Sequence, residues 1–469
     1  MKSKNTYRSI RKKLNIEKLL IFLYVAVSWS WLLQVQVGII TTQKWTGLFV
    51  LGFVFVVLVA LSYWFARTVY TKVIKPRLAE PSWKNIVMVV ALWAFFELLL
   101  TWGIAFLWIG DGGSWDNILP FTSLAPLAVA TPLRFLARFV GYYGISAITG
   151  VGLLLLAKKY WRQAGYYWMI VIVVAVAGWM IYRVPTGETR QISIVSEALD
   201  FDVANRDIEQ LTNATKGITD SRLIIVPEYG LDDYGSQTVA KRFAATDEPI
   251  YFSGTRQEAT DQGIKNVLVY GNTQDGYTAE YPKDRLIPGG EYLAYPVELL
   301  LRKTNPVAYE EFRFSRAVVK GEQASRPFKV SKNLILGNAA CSSIIHPGDY
   351  RQLTQKGSTV LANSASLEIF KGSSLFAFYH DNLARFMAVA NARPFLQSAN
   401  DWKAFALDHN GTTIASQERV GSQTLSVTSN SKKTPYTVLG EWVAYLGSGL
   451  SLVLVVRYVR KKQKLKNTD

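Results

Sequence analysis

The chain has 469 residues, of which 49% are hydrophobic and 13% aromatic, and its formal net charge at pH 7 is +17. A chain this apolar is not a disordered tail that binds nucleic acid, because it has too much apolar surface to bury. One cysteine and three histidines exclude a disulfide scaffold and a cysteine-rich zinc or iron–sulfur site, so we expect no metal and no cofactor. The basic excess then belongs either to a surface that binds an acidic partner or to loops that orient a membrane protein.

Six apolar stretches are long enough to cross the roughly 30 Å hydrocarbon core of a bilayer. They lie at 19–40, 45–66, 86–109, 139–157, 166–184 and 438–456. Two of them carry one acid each, Glu97 in the third and Glu441 near the start of the last. An acid within a span is costly unless it faces the bundle interior or a wet cavity. We therefore interpret Glu97 as a structural or gating hydrogen-bonding group.

The basic residues are concentrated in four segments. Residues 1–18 carry a net charge of +6, 67–85 of +4, 157–165 of +3 and 457–469 of +5, so the rest of the chain is about neutral. With six spans, all four segments lie on one side of the membrane, and the positive-inside rule makes that side the cytoplasm. The long segment 190–435, between the fifth and sixth spans, is then extracytoplasmic.

This long segment differs in character from the spans. Apolar runs such as QISIVSEAL, RLIIVPEYG and NLILGNAAC alternate with polar stretches of helical length, which predicts a layered α/β domain. The predicted organisation is a cytoplasmic N-terminus (1–18), a bundle (19–184), this domain (190–435), a last span (438–456) and a cytoplasmic tail (457–469).

Three residues of the domain could carry chemistry. Cys341 follows the run NLILGNAA, Glu228 ends the run LIIVPE, and Lys283 lies in a stretch rich in glycine and proline. Each has an ordinary alternative: a buried cysteine acting as a small hydrophobe, a solvated carboxylate and a surface lysine. Together they could supply a nucleophile, a base that activates it and a cation that stabilises an oxyanion.

The order of these residues, with spacings of 55 and 58, resembles the Glu–Lys–Cys triad of the nitrilase superfamily. The stretch YPKDRLIPGGEYLAYP resembles the lysine loop of bacterial apolipoprotein N-acyltransferases. Two later stretches, LARFMAVANARPFLQSAN and TPYTVLGEWVAYL, resemble that family's helix and strand after the cysteine and its entry into the last span. The membrane part, with ALWAFFELLLTW around Glu97, follows the same plan, so the resemblance covers nearly the whole chain.

The resemblance implies a multi-pass α-helical membrane bundle of about six spans with an extracytoplasmic nitrilase-like αββα sandwich domain. It implies an N-acyltransferase in the plasma (inner) membrane of a bacterium. A membrane phospholipid would donate a fatty acyl chain, through a thioester on Cys341, to the α-amino group of the N-terminal diacylglyceryl-cysteine of a lipoprotein. Glu228 would act as the base, and Lys283 would stabilise the oxyanion. Glu291, matching the family's Gly-Glu pair, would orient Lys283 or the amine; its ordinary alternative is a solvated loop acid.

The chain departs from the family pattern in three places. The family typically has eight spans, whereas six are predicted here. The family usually has Tyr-Glu where this chain has Ser342 and Ser343. Its Asn-Asp-Ala-Trp-Phe run corresponds to Ser366–Phe370. Because the last two regions shape the acyl pocket, other functions stay open. One is amide hydrolysis or acyl transfer to a different amine, and another is a catalytically inactive, membrane-anchored binding module. A transporter is disfavoured, since the spans carry only two acids.

Overall fold

The structure is a computed structural model that describes residues 2–36, 44–113, 121–197, 218, 221–231, 248–261, 263–418 and 420–466. The helices of these residues are α1 (Lys2–Trp29), α2 (Lys44–Val69), α3 (Trp83–Leu107), α4 (Ala125–Val129), α5 (Ala137–Ala157), α6 (Trp161–Ile181), α7 (Tyr295–Thr304), α8 (Pro306–Ser315), α9 (Pro347–Gln355), α10 (Ser374–Asn391), α11 (Pro435–Leu439) and α12 (Trp442–Lys466). Short 3-10 turns cover Ser30–Gln34, Pro132–Leu136, Cys341–Ile345 and Glu368–Phe370.

Among the described residues, six helical segments are long and apolar enough to cross a membrane, which confirms the expected multi-pass bundle. They are Ile16–Gln34, Lys44–Arg77, Trp83–Leu107, Pro132–Ala157, Trp161–Ile181 and Trp442–Arg460. The second continues past its predicted end because a π-helical turn, Tyr70–Ile74, and a short helical turn, Lys75–Arg77, extend α2. The last begins at Trp442 rather than at 438, because Gly440 adopts a φ of +64° and ends α11. Residues 37–40 of the first predicted span lie outside the described residues.

Glu97 is buried inside the bundle and accepts three hydrogen bonds. The donors are Ser146 Oγ at 2.6 Å, Trp93 Nε1 at 2.8 Å and Ser123 Oγ at 3.1 Å. These bonds join α3 to α5 and to the segment before α4. A carboxyl group within a span is tolerated when its polar atoms are satisfied in this way, which supports the structural interpretation of Glu97.

Glu441 binds the backbone at a break in helix α5. Gly141, with φ +73° and ψ −167°, interrupts the helix and frees backbone N–H groups. The Glu441 carboxylate accepts hydrogen bonds from the N–H groups of Tyr142 at 2.9 Å and Tyr143 at 3.1 Å. It therefore caps the part of α5 that follows the break, where a negative charge is favourable, and fixes the start of the last span against α5.

The described residues also form one mixed sheet of twelve strands. They are β1 (Thr189–Glu197), β2 (Leu223–Ile225), β3 (Tyr251–Thr260), β4 (Gly263–Asn272), β5 (Gly276–Pro282), β6 (Phe328–Lys329), β7 (Ile335–Ala340), β8 (Val360–Ser366), β9 (Phe395–Asn400), β10 (Ala404–Leu407), β11 (Thr413–Gln417) and β12 (Gly421–Thr428). The main path runs β5-β4-β3-β2-β1-β9-β8-β7-β6. From β3 to β7 along this path all neighbours are parallel, so their carboxyl ends share one edge.

The sheet curls so that its two halves face each other. The hydroxyl group of Tyr270 in β4 donates to the carbonyl oxygen of Asn338 in β7 at 3.1 Å, although six positions separate these strands along the path. The Asn338 side chain also donates to Ser253 Oγ in β3 at 2.8 Å. Apolar residues fill the space between the halves: Ile192, Ile194, Leu223, Leu268, Leu336, Val360 and Leu396. This is the sheet-on-sheet core of the expected sandwich.

Helices α9 and α10 cover one outer face of the curled sheet. Buried residues of α10, including Phe386 and Met387, share one core with Tyr142 and Ile145 of α5. The opposite outer face is also apolar, with Val195 among its buried residues. Residues 198–217 and 232–247 lie outside the described residues.

Arg138 joins the bundle to the domain. Its fully buried guanidinium donates to three carbonyl oxygens: Gly178 in α6 at 2.7 Å, His409 at 2.8 Å and Val389 in α10 at 3.2 Å. Because a buried guanidinium must keep its partners, these bonds hold α10 and the β10–β11 turn against the membrane helices. The sheet is therefore set at a defined place on the bundle.

We expect Gly141→Ala to destabilise the protein by about 1–3 kcal/mol or more, because only glycine tolerates this backbone conformation. The added Cβ would also lie 2.5 Å from a Glu441 carboxylate oxygen. The measurement is the midpoint of thermal unfolding in detergent. Gly165→Ala in α6 is the control, since a Cβ there meets no atom within 4 Å, and its midpoint should stay equal or rise. Equal losses in the two variants would contradict the capped break.

Candidate active site

Glu228 lies just past the carboxyl end of β2 and is 1% exposed. Its backbone N–H donates to the carbonyl oxygen of Ala365 in β8 at 3.2 Å, and its own carbonyl oxygen accepts a hydrogen bond from the Asn400 side chain. The next residue, Tyr229, has a positive φ of +64°, which turns the chain sharply after the carboxylate. The ends of β8 and β9 thus hold the backbone of Glu228 in place after β2.

Lys283 directly follows β5 and is 3% exposed. Its ammonium group donates to Glu228 Oε1 at 2.9 Å and to Glu291 Oε1 at 2.7 Å. Its backbone N–H donates to the carbonyl oxygen of Asn266 in β4 at 2.7 Å. The lysine is therefore a buried cation between two carboxylates and not a surface-loop residue.

Glu291 is 7% exposed, so the structure does not make it a solvated loop acid. Besides binding Lys283, its Oε1 accepts a hydrogen bond from Asn266 Nδ2 at 2.9 Å. Its Oε2 accepts one from the backbone N–H of Ile287 at 2.9 Å. Sequence reasoning missed Asn266, whose only signal is a polar residue at the start of the apolar run NVLVYGN.

Cys341 follows β7 directly and adopts a φ of +32°. This is an unusual conformation for a residue with a side chain, and it turns the chain into the 3-10 turn Cys341–Ile345. The thiol is buried, with the Ser366 carbonyl oxygen 3.5 Å from Sγ. Burial alone fits an inert cysteine, but this one lies at the edge where the parallel strands end.

The four predicted residues border one cavity of about 580 Å³. It is lined by Glu228, Tyr229, Lys283, Ile287, Gly290, Glu291, Arg316, Cys341, Ser366, Glu368, Ile369 and Phe370. Arg316 was not singled out by sequence reasoning, since nothing in its surroundings distinguishes it from other basic residues. Within the described ranges, no group of three or more histidine, cysteine, aspartate or glutamate side chains could hold a metal ion.

Burial and neighbouring charges govern protonation in this cavity. Burial raises the pKa of the Cys341 thiol well above its ordinary value, and the Glu228 carboxylate raises it further, so the resting group is a neutral thiol. Burial also raises the pKa of Glu228, although the Lys283 charge opposes this. Burial would lower the pKa of Lys283, but the carboxylates of Glu228 and Glu291 outweigh it and raise the pKa well above its ordinary value. Lys283 is therefore a cation at neutral pH.

The residues that depart from the family pattern lie beside the cavity. The Ser342 hydroxyl donates to the carbonyl oxygen of Arg285, which ties the turn after the cysteine to the lysine loop. The Arg285 guanidinium in turn binds Asp349 of α9, at 2.9 and 3.1 Å. Four residues of the altered segment, Ser366 and Glu368–Phe370, line the cavity itself. The altered positions therefore shape what the cavity can hold.

We expect Lys283→Met to lower the free energy of unfolding by about 3–5 kcal/mol, because Glu228 and Glu291 would stay buried without their cation. The loss should shrink as the pH falls, since protonation of the two carboxyl groups removes the unpaired charge. Thermal unfolding in detergent at several pH values measures this. The control is Lys356→Met, an exposed lysine at the end of α9. Equal midpoints for the two variants at neutral pH would contradict the buried ion pairs.

Comparison with known proteins agrees with the resemblance noted in the motifs, although no family model matches the chain. A Pasteurella multocida protein named apolipoprotein N-acyltransferase is 25% identical over 415 residues, covering 79% of this chain and 74% of its own. A Haemophilus influenzae protein of the same name is 24% identical, covering 81% and 76%. Among solved structures, Saccharomyces cerevisiae Nit3, a member of branch 10 of the nitrilase superfamily, is similar to 52% of this chain. The match covers 91% of Nit3, with 16% identity and a TM-score of 0.38. The chain is therefore similar, over about four-fifths of its length, to proteins named apolipoprotein N-acyltransferase.

Proposed function

We propose that this protein is a membrane acyltransferase that N-acylates lipoproteins, with a phospholipid as acyl donor and Cys341 as the acyl carrier. The observation that carries the proposal is the Lys283 ammonium, held 2.9 Å from Glu228 and 2.7 Å from Glu291 on the cavity that also contains Cys341. A base, a cation and a thiol on one cavity are the groups that acyl transfer through a thioester needs. The names of the relatives support the substrate class.

In the first half-reaction, the Glu228 carboxylate accepts the proton of the Cys341 thiol as sulfur attacks the ester carbonyl of the donor. The two side chains border the same cavity, and the Cys341 side chain lowers the pKa of Glu228, which supports this pairing. Lys283, with a backbone N–H near the cysteine, stabilises the negative charge that develops on the carbonyl oxygen. The ester C–O bond then breaks, Glu228 returns the proton to the departing oxygen, and lysophospholipid leaves a thioester on Cys341.

In the second half-reaction, the free α-amino group of a diacylglyceryl-cysteine attacks the thioester. Glu228 accepts a proton from the attacking nitrogen, the C–S bond breaks, and the proton returns to the Cys341 sulfur as the amide forms. A thioester is more reactive toward amines than an oxygen ester, which favours cysteine as the carrier. Glu291 acts as a positioning residue, because its 2.7 Å contact keeps Lys283 charged and oriented.

The membrane setting follows from the same proposal. We place the domain at 190–435 on the extracytoplasmic side of a bacterial plasma membrane, because the four basic segments mark the cytoplasmic side. Both substrates are anchored in lipid, and withdrawing an acyl chain costs about 0.8 kcal/mol per CH₂ group. A cavity set against the bundle, as the bonds of Arg138 hold the domain, avoids most of this cost.

A second candidate is acyl transfer to a different amine, or amide hydrolysis, on the same three groups. It is favoured by the lining of the cavity, where the altered residues Ser366 and Glu368–Phe370 contact the space in which the acceptor would bind. The first half-reaction is the same for both acyl-transfer candidates, whereas the second differs in the acceptor.

Intact mass spectrometry tests the acyl carrier. Protein incubated with phospholipid vesicles should gain the mass of one acyl chain, and Cys341→Ala should gain none. Adding a diacylglyceryl-cysteine peptide should discharge the adduct and acylate the peptide. Discharge by another amine alone would favour the second candidate, and absence of any adduct on the unaltered protein would contradict both acyl-transfer candidates.

The pH dependence tests the base. Acylation requires ionised Glu228, so the single-turnover rate should fall on acidification, at a pH above the ordinary glutamate range because burial raises this pKa. Glu228→Gln should slow acylation by about 10²–10⁴-fold and abolish the acid limb. Glu258→Gln, whose side chain is 43% exposed on β3, is the matched control and should keep both rate and limb. If the acylation rate of Glu228→Gln still falls on acidification at the same pH, the group that titrates there is not Glu228.

A further inference from the structure

The two short helices α7 and α8 form a hairpin beside the cavity and expose large apolar side chains. Tyr295 is 47% exposed, Leu299 56%, Val307 67% and Phe314 77%. Single exposed apolar residues are ordinary on protein surfaces, but a concentration on one small element marks an interaction surface. Each helix has ten residues, far fewer than the roughly 20 needed to cross a bilayer.

The exposed apolar residues lie on defined faces of the hairpin. Tyr295 and Leu299 are four residues apart on α7, and Val307 and Phe314 are seven apart on α8, so each pair shares one helix face. The opposite face of α8 is buried through Ala308 and Phe312. The hairpin therefore carries apolar side chains on the face that packs against the protein and also on the face that points away from it.

Hydrogen bonds place the hairpin at the ends of two spans. Asn305 Nδ2, between the helices, donates to Thr46 Oγ1 in the first turn of α2 at 2.9 Å. The backbone N–H of Tyr295 donates to the carbonyl oxygen of Ile109, just past the end of α3, at 2.8 Å. The start of α2 and the end of α3 lie at the same surface of the bundle, so the hairpin lies at the level where the spans leave the membrane.

The apolar surface of the hairpin continues into that of the span. At the outer end of α2, Trp45 is 82% exposed and Phe49 is 66% exposed, as expected of side chains that face lipid. An apolar groove of about 810 Å³ separates the hairpin from α2 and is lined on the two sides by residues such as Val50 and Phe312. Apart from the hydrogen-bonded pair Asn305 and Thr46, the surface that joins α2 to the hairpin is therefore apolar.

We propose that the α7–α8 hairpin lies in the interface of the membrane leaflet on the domain's side, as a membrane contact in addition to the six spans. Val307 and Phe314 are buried among lipid chains near the headgroups. Arg302 and Arg313 have side chains 60% and 63% exposed and lie 3.6 and 4.0 Å from Glu298 and Glu310 of their own helices. In the leaflet their guanidinium groups reach the phosphates while their stems stay in the apolar layer. A phospholipid leaflet fits better than a second copy of the chain, because the surface is continuous with the lipid-facing side of α2.

The position of the hairpin gives this contact a consequence for the cavity. Arg316 follows α8 directly and lines the cavity that contains Cys341. Pro288 and Gly289 line the apolar groove, while their neighbours Ile287 and Gly290 line the cavity. The leaflet, the groove and the cavity are thus joined through the hairpin and one short loop.

The single cysteine makes a site-directed labelling experiment possible. Cys341→Ala removes the only thiol, and Phe314→Cys or Val307→Cys in that background gives one attachment point for a nitroxide label. The control is Gln274→Cys, an exposed residue in the β4–β5 turn, at the far end of β5 from Lys283. The full chain is reconstituted in phospholipid vesicles, and collision rates are measured with oxygen, which partitions into lipid, and with a water-soluble nickel chelate.

The ratio of oxygen to nickel collision rates should be several-fold higher at 314 and 307 than at 274. A ratio at both sites equal to that at 274 would overturn the proposal. Loss of both collision rates together with dipolar broadening would also overturn it, because a second copy would then cover the surface. The labelled variants lack the thiol on which acyl transfer depends, so the outcome is independent of the proposed reaction.

Discussion

The arrangement around the cavity depends on one buried cation. An ammonium group removed from water is tolerated only when opposite charges and hydrogen bonds replace its solvent. Lys283 has two carboxylates within 3 Å, and both glutamates are held in turn. The backbone of Glu228 is hydrogen-bonded to β8 and to the Asn400 side chain of β9. The Glu291 carboxylate accepts from Asn266 and from the backbone N–H of Ile287. Moving any one of these strand ends would leave a charge unpaired, so the ion cluster fixes the edge of the sheet at which Cys341 lies.

Buried charged groups in the membrane helices also need hydrogen-bonding partners, but here the partners are neutral groups. Hydroxyl and indole groups donate hydrogen bonds to Glu97, and backbone N–H groups donate to Glu441. Arg138 is satisfied by carbonyl oxygens of three separate elements and by the Asn410 side chain. In both parts of the protein, buried charge specifies which elements lie together, while apolar packing supplies most of the burial energy.

Much of the fold could be predicted from local pattern, because hydropathy over about 20 residues identifies a span and short apolar runs identify buried strands. The positions of Glu228 and Cys341 at strand ends were predictable for the same reason. The pairing of Lys283 with Glu291 was suggested only by resemblance, since it depends on a loop conformation. The break at Gly141 and the contribution of Asn266 were missed, because a glycine in an apolar helix and an asparagine in a strand are ambiguous until a distant partner, such as Glu441, is in place.

Helix α10 packs against both the sheet and the bundle, which limits how the sequence of either part can change. One face of this helix covers the sheet, while its residues Phe386 and Met387 pack in the same core as α5 of the bundle. A sheet domain that lost its membrane helices would expose this apolar face and the buried guanidinium contacts of Arg138. The soluble and membrane halves are therefore not interchangeable modules joined by a linker. Substitutions along α10 must suit two neighbours at once, and the two halves are bound to diverge together.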